Sequence, residues 1–439
     1  MLIVSLLVTF YLKDKECIVS DEKESLLRQC QDAITEERAP TDFLKFALAL
    51  RLLKAFDEEY KHESGIHYKD IDQGIHLKMK TCFKTLEEQL FPWISTKPSE
   101  VWEHTPKFSN IDTLKNSFIP GSRGIVICSC DRLFDFSTHL IKGIKAFSID
   151  LPIVVAYIGD NDLSPAKQDY LNQLNVSALD VTKFFDDSIL KMEGFAVKPF
   201  AILAAPFQEV MFLDADTVFI QNPVNFFSDP GYIRTGQLFQ KDRALHHWYP
   251  KVKLWITDNI PQPFSETLLN TELWQGFTDY QMDSSFLIID KHRCLYSLLA
   301  ACKLNANEER KSFYTFYYGD KESFWLGAEM VNESYDFLPL LPGVFGDWLP
   351  GEHELLCGRQ LMFDREGAPF YFNEAVVWDK TQTHDNRKLM DVPTYYSHHG
   401  RWYEPPHLRC IYTKGAKFTP QEKTRLHTVF NMYDHYDIN

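Results

Sequence analysis

Between residues 121 and 223, apolar runs and amphipathic stretches alternate at spacings that predict βαβ units. Gly124–Ser129 reads as a strand. Leu133–Phe147 reads as an amphipathic helix with Phe136, Leu140, Ile141, Ile144 and Phe147 on one face, and Ile153–Ile158 as a second strand. That order predicts a parallel sheet with a ligand crevice at the carboxyl ends of its strands. Leu163-Ser164-Pro165 starts another helix, with the proline near its first turn. Lys198-Pro199-Phe200 then leads through Ala201–Ala205 into Val210-Met211-Phe212-Leu213, the short apolar run of a strand buried on both faces. It stops at Asp214-Ala215-Asp216, and Val218-Phe219-Ile220 is apolar again.

Upstream, Asp21–Trp93 reads as helical. Pro40-Thr41-Asp42 marks a helix start, and Phe43, Leu44, Ala47, Leu50 and Leu53 follow at helical spacing. A second amphipathic segment runs from about Ile75 to Leu90. Downstream, Gln281–Ser285 precedes a strand over Phe286–Ile289. Gly319–Ser323 opens a helix over Phe324–Met330, and Cys357–Gly367 reads as strand, turn, strand. The class expected is therefore α/β, a Rossmann-like, mostly parallel sheet flanked by helices. Its parts are a hydrophobic segment over 1–12, a helical stem or cap over 13–120 and a catalytic domain over 121–439.

Met1–Leu12 is apolar and gives way to Lys13-Asp14-Lys15-Glu16. Twelve helical residues rise about 18 Å against roughly 30 Å of bilayer hydrocarbon. The favoured reading is a truncated signal-anchor, against a signal-peptide core or a buried strand. A formal net charge of −15 argues against a nucleic-acid partner. Asn175-Val176-Ser177 and Asn332-Glu333-Ser334 are sequons that permit a luminal address. The nine cysteines show no zinc spacing. Cys357 and Cys410, both in loop-like surroundings, are the pair expected to form a disulfide.

Candidate chemistry gathers at the strand ends. Asp214 and Asp216 are hard oxygen ligands suited to Mn²⁺ or Mg²⁺ holding a diphosphate. Asp131 and Arg132, just past the first strand, lie where a base or ribose sits. An imidazole from His398-His399-Gly400 would complete the metal shell, His399 being the candidate. For a lone Asp283, a turn role competes with one at the sugar or acceptor. For Asp320, a helix N-cap competes equally with binding.

Taken in order, these blocks resemble the fungal α-1,3-mannosyltransferase family. The resemblance rests on Phe91-Pro92-Trp93, Gly124–Cys128, Leu151–Tyr157, Lys198-Pro199-Phe200-Ala201, Pro206–Asp216 with Asn222-Pro223, Asp283-Ser284 with Asp290-Lys291, Gly319–Ser323, and Cys357–Gln360 with Phe363-Asp364. It implies a GT-A-type fold, a single-pass type II Golgi membrane protein with a luminal catalytic domain, GDP-mannose as donor, Mn²⁺ as cofactor and a mannose-terminated N- or O-linked glycan as acceptor. On that footing Asp214 and Asp216 match the metal-and-donor motif, while Lys198, Asp283 and the block Asp320-Lys321-Glu322 match other positions expected near the donor. Because the family's linkage and GDP-mannose are both α, retention is expected, with Asp283 and Glu322 as the carboxylates to test. The family usually has Gly after Asp283-Ser284, and this chain has Ser285. A UDP-sugar transferase of the same fold and a non-catalytic subunit of a transferase complex stay open.

Overall fold

The computed structural model describes residues 22–59, 70–95, 107–245, 249–351, 354–377, 388–397, 402 and 410–432. Two sheets of seven strands organise it. The central one contains β1 (Ile119–Cys128), β2 (Ile153–Tyr157), β3 (Ser177–Asp180) and β4 (Phe207–Asp214). The second sheet uses β5 (Val218–Phe219), and the central one resumes with β6 (Gln237–Lys241), β7 (Met282–Asp290) and β8 (Asp336–Phe337). Their order is β3-β2-β1-β4-β7-β6-β8, and β7 alone runs against the rest. This is the Rossmann-like, mostly parallel sheet flanked by helices that the sequence leads one to expect.

Alternation along the strands sorts the core onto two faces. Val126, Val210, Phe212, Leu287 and Ile289 pack with the N-terminal helices 22–35, Phe43–Glu59 and Asp70–Leu90, and with helices Val197–Ala204, Leu295–Leu304 and Ser323–Val331. Ile125, Ile127, Met211, Leu213 and Ile288 pack on helix Phe134–Lys145. The N-terminal helices thus share one core with the sheet. Arg51 fixes them to it, its guanidinium donating to the Met330 and Glu329 carbonyls at 2.7 and 2.9 Å and so serving the last turn of helix Ser323–Val331.

The second, antiparallel sheet joins β5 to β9 (Gly343–Trp348), β10 (Leu355–Phe363), β11 (Pro369–Phe372), β12 (Tyr395–Tyr396), β13 (Cys410–Tyr412) and β14 (Ala416–Lys417). Only its β10–turn–β11 hairpin is legible in the sequence. The rest pairs segments far apart in the chain. Cys357 and Cys410 form the expected disulfide, facing one another across β10 and β13 rather than in loops. Cys30–Cys82, which the sequence reading did not foresee, joins helix 22–35 to helix Asp70–Leu90. Among the described residues no helix is long and apolar enough to cross a membrane. The expected segment over 1–12 lies outside them.

Candidate active site

Strand register brings the site together. Cys128 at the end of β1 is level with Asp214 at the end of β4. Leu213 is level with Phe286 of β7, and Gln240 of β6 with Asp283. The carboxyl ends of β1, β4 and β6 therefore meet the start of β7 along one sheet edge. The sequence reading puts Asp283 before its strand. The structure corrects this: β7 begins at Met282, and a register shift between the Phe239–Leu287 and Gln240–Asp283 pairs interrupts its ladder with β6.

The first set of groups centres on Lys198. Helix Val197–Ala204 runs into β4 and aims the lysine back at the strand's end, where Nζ lies 2.7 Å from Asp214 Oδ1 and 3.7 Å from Asp320 Oδ1. The same ammonium donates to Ser284 Oγ at 3.1 Å. Asp320 is not a cap: it turns onto Lys198, and its Oδ2 is buried without a hydrogen-bond partner. Asp216 follows in the β4–β5 turn, nearly buried, with its carbonyl accepting from Ala375 N at 2.7 Å. Burial pushes the Asp214 carboxyl up to about 7 against the pull of Lys198, and the charges of Asp216 and Asp320 add to the rise. Burial works against the Lys198 ammonium, but Asp214 and Asp320 outweigh it and raise its pKa.

A second set lies alongside. Lys321 Nζ sits 2.5 Å from Asp242 Oδ2 and 3.7 Å from the centre of the Tyr280 ring. Gln360, reaching over from β10, places its amide nitrogen 3.4 Å from both Asp242 Oδ1 and Asp283 Oδ2. Asp283 Oδ1 accepts from the Ser285 amide at 2.8 Å and from its hydroxyl, and that hydroxyl is 2.9 Å from Tyr371 OH of β11. Ser285 thus ties the second sheet to this carboxylate. Burial raises the Asp283 pKa and the Asp242 charge raises it further. Burial opposes ionisation of Asp242 too, but Lys321 and Arg243 prevail and its pKa falls. Asp242 and Tyr371 escape the sequence reading, and Gln360 enters it only within the Cys357–Gln360 block, without a role at the site. The exit of β6 into Asp242 copies the exit of β4 into Asp214, but only Leu238-Phe239 mark it as a strand.

Three candidates stand apart. Asp131 is exposed and holds the start of helix Pro165–Gln173, accepting from Ser164 N at 2.9 Å and Ser164 Oγ at 3.1 Å. Arg132 beside it is exposed. Glu322 is fully buried behind the cleft: Oε1 accepts from the amides of Gln281 (2.9 Å) and Met282 (3.2 Å), and Oε2 from the Trp325 indole. That contact pattern positions the start of β7. His399 lies outside the described residues.

Burial pushes the Glu322 carboxyl from its ordinary 4.5 up to about 7, against Lys321 and its own hydrogen-bond donors. A carboxyl raised on folding binds more protons in the folded chain. Its stabilising effect is full below pH 4.5 and is lost as pH climbs through 7. Glu322→Gln removes that titration. The stability advantage of wild type over the variant should therefore shrink between pH 5 and 7.5 by on the order of 1–3 kcal/mol, read by urea denaturation. Parallel pH profiles would contradict it.

Five aspartates (214, 216, 242, 283 and 320) thus face two lysines. That excess of hard, negative oxygen is what a divalent cation neutralises. Among the described residues, no group of three or more His, Cys, Asp or Glu side chains is arranged to hold a metal. The donor set fits an ion of the Mg²⁺ type all the same, since such ions take one or two carboxylates and complete their shell with water and substrate phosphates.

A family model described as "Mannosyltransferase putative" matches residues 122–363, the stretch from β1 to the end of β10. The chain is 28% identical over 304 residues to "Putative alpha-1,3-mannosyltransferase MNN14" of Candida albicans, covering 60% of this chain and 44% of that protein. It is 24% identical over 296 residues to "Alpha-1,3-mannosyltransferase MNT2" of Saccharomyces cerevisiae, covering 58% and 51%. The chain spans about half the length of the curated relatives it matches. Among solved structures, galactosyltransferase LgtC in complex with donor and acceptor sugar analogs overlaps 49% of this chain and 72% of its own, at 12% identity and a TM-score of 0.30, too slight to carry a conclusion. With the model match running from β1 through both carboxylate sets to Gln360, the chain belongs to this mannosyltransferase family.

Proposed function

We propose that this chain transfers mannose from GDP-mannose to a mannose-terminated N- or O-linked glycan, forming an α-1,3 linkage with retention of configuration. The observation that carries this reading is the Asp214–Lys198–Asp320 set at the carboxyl edge of the sheet, inside the residues that match the family. The α-1,3 linkage comes from the names of the relatives, and the donor and its retention from the family resemblance.

Asp214 and Asp216 would hold Mn²⁺ or Mg²⁺, with the diphosphate completing the shell. When bound, the ion supplies Lewis-acid stabilisation of charge on the departing diphosphate. Lys198 adds a fixed positive charge to the same phosphates, and Asp320 is a second carboxylate partner of that ammonium. Asp283 and Asp242 supply negative charge where the anomeric carbon gains oxocarbenium character. Of the two, the Lys321 pairing keeps Asp242 the more readily ionised. Ser285 and Gln360 fix the rotamer of Asp283. The fit of this second set to a cationic sugar is shared by a carboxylate nucleophile and by same-face attack.

Asp283→Asn should accordingly lower kcat by roughly 10²–10³-fold with donor KM within about threefold, since the loss falls on the transition state. Steady-state kinetics check it. An unchanged kcat would reduce Asp283 to a structural partner of Ser285. The luminal, type II Golgi address belongs to the same proposal. Exposed sequon asparagines at 175 and 332 and the two disulfides support it. NMR of the product of a mannobiose acceptor tests the reaction: an added α-1,3 mannose is expected, and a β signal or another linkage would refute the stereochemical and regiochemical reading.

A further inference from the structure

Phe195 and Tyr318 are exposed aromatic residues, 47% and 67% accessible, from segments 123 positions apart, yet their ring centroids lie 5.8 Å apart. Single exposed apolar side chains are ordinary on a protein surface. This pair is different in what holds it. Phe195 sits in the short turn Gly194–Ala196, three residues before Lys198, and its ring centre is 5.6 Å from the Lys198 ammonium. Tyr318 precedes Gly319-Asp320, and Asp320 is the other partner of that ammonium. Gly319 has φ +71°, and a Cβ there would come within 3.1 Å of the Phe195 ring. The glycine both takes the left-handed turn and leaves the space the ring occupies. The turn that leads into the Lys198 helix and the segment that carries Asp320 therefore also bring two aromatic rings together on the solvent side of that contact.

We propose that Phe195 and Tyr318 form a stacking platform for a pyranose ring of the acceptor glycan. The inference rests on the transferase reading above. Aromatic faces bury the C–H faces of sugars and leave the hydroxyl groups to water, so a half-exposed pair suits a carbohydrate better than an apolar ligand. The acceptor is favoured over the donor by depth. The Lys198 and Asp214 side chains, which would meet the diphosphate, are 8% and 22% exposed and lie inward of the rings. A glycan acceptor has further units that must run outward into solvent, and the rings stand at that rim.

The test is steady-state kinetics of Phe195→Ala and Tyr318→Ala, with Tyr318→Phe as the conservative control, each shown folded by its circular dichroism and melting curve. Each alanine variant should raise the KM for a mannobiose or mannotriose acceptor by roughly tenfold. Donor KM and acceptor-independent donor hydrolysis should stay within about twofold, and Tyr318→Phe should behave as wild type. Unchanged acceptor KM in both folded alanine variants would overturn the platform, and a rise in donor KM instead would overturn its assignment to the acceptor. Saturation-transfer NMR with mannotriose reads the platform without turnover. If wild type transfers from no donor, the functional reading fails by itself. A saccharide signal present in wild type and lost in the alanine variants would still uphold the platform, and equal signals would overturn it.

Discussion

Asp216→Asn is expected to lower kcat by roughly 10³-fold or more in a protein that still folds. Asparagine preserves the shape of the side chain and removes the charge that a divalent ion needs. The β4–β5 turn has an anchor the substitution does not touch, because Ala375 N donates to the Asp216 main-chain carbonyl at 2.7 Å. The β4 ladder ends before this residue as well, its last partners being Cys128 with Asp214 and Leu213 with Phe286. Initial rates beside a thermal melt followed by circular dichroism check the two halves of the expectation. A variant within threefold of wild type would remove Asp216 from the reaction. A variant that does not fold would show the carboxylate to be a structural group.

Lys198→Met should have the largest effect on stability. Its ammonium is the cation between Asp214 and Asp320, at 2.7 and 3.7 Å, in a site with little access to solvent. Removing one partner of a buried ion pair leaves the others uncompensated and costs about 3–5 kcal/mol. The sign of the pH dependence follows from the Asp214 carboxyl, already pushed up to about 7 with the lysine present. Without the lysine it rises further, so the folded variant binds more protons than its unfolded chain and loses stability as pH increases. The deficit against wild type, measured by urea denaturation in EDTA, should be larger at pH 8 than at pH 5.5. Lys198→Met/Asp214→Asn should recover part of it, because the double variant leaves one carboxylate, Asp320, without its cation instead of two. A double variant no more stable than the single one would contradict the account.

What could be read in advance follows from how local each signal is. Val210–Leu213 announces a buried strand by itself, and its stop at Asp214 is visible because no apolar run follows until Val218. The helix Leu133–Phe147 and the strands around it carry their periodicity in consecutive residues, and the structure sets them at Phe134–Lys145, Ile119–Cys128 and Ile153–Tyr157. Asp242 and Gln360 are different. They meet only because β6 pairs with β7 and because an antiparallel sheet, assembled from strands as distant as Val218–Phe219 and Ala416–Lys417, folds against that edge. No window of the sequence contains that pairing. Glu322 illustrates the reverse case. It stands in a charged block, Gly319–Ser323, that invites a catalytic reading, yet its side chain turns inward onto two backbone amides and an indole. Its neighbour Lys321 turns toward Asp242 instead. Which of two adjacent charged residues faces the cleft is decided by the start of helix Ser323–Val331, not by composition.

The central claim is that Asp214 and Asp216 hold a divalent ion for a GDP-mannose donor beside Lys198. Its most direct test is sugar transfer to a mannobiose acceptor from a panel of GDP- and UDP-sugars, with Mn²⁺ and with EDTA, beside Asp216→Asn. The account predicts transfer from GDP-mannose alone, abolished by EDTA and by the substitution. Equal transfer in EDTA, or transfer from a UDP-sugar in place of GDP-mannose, would contradict it.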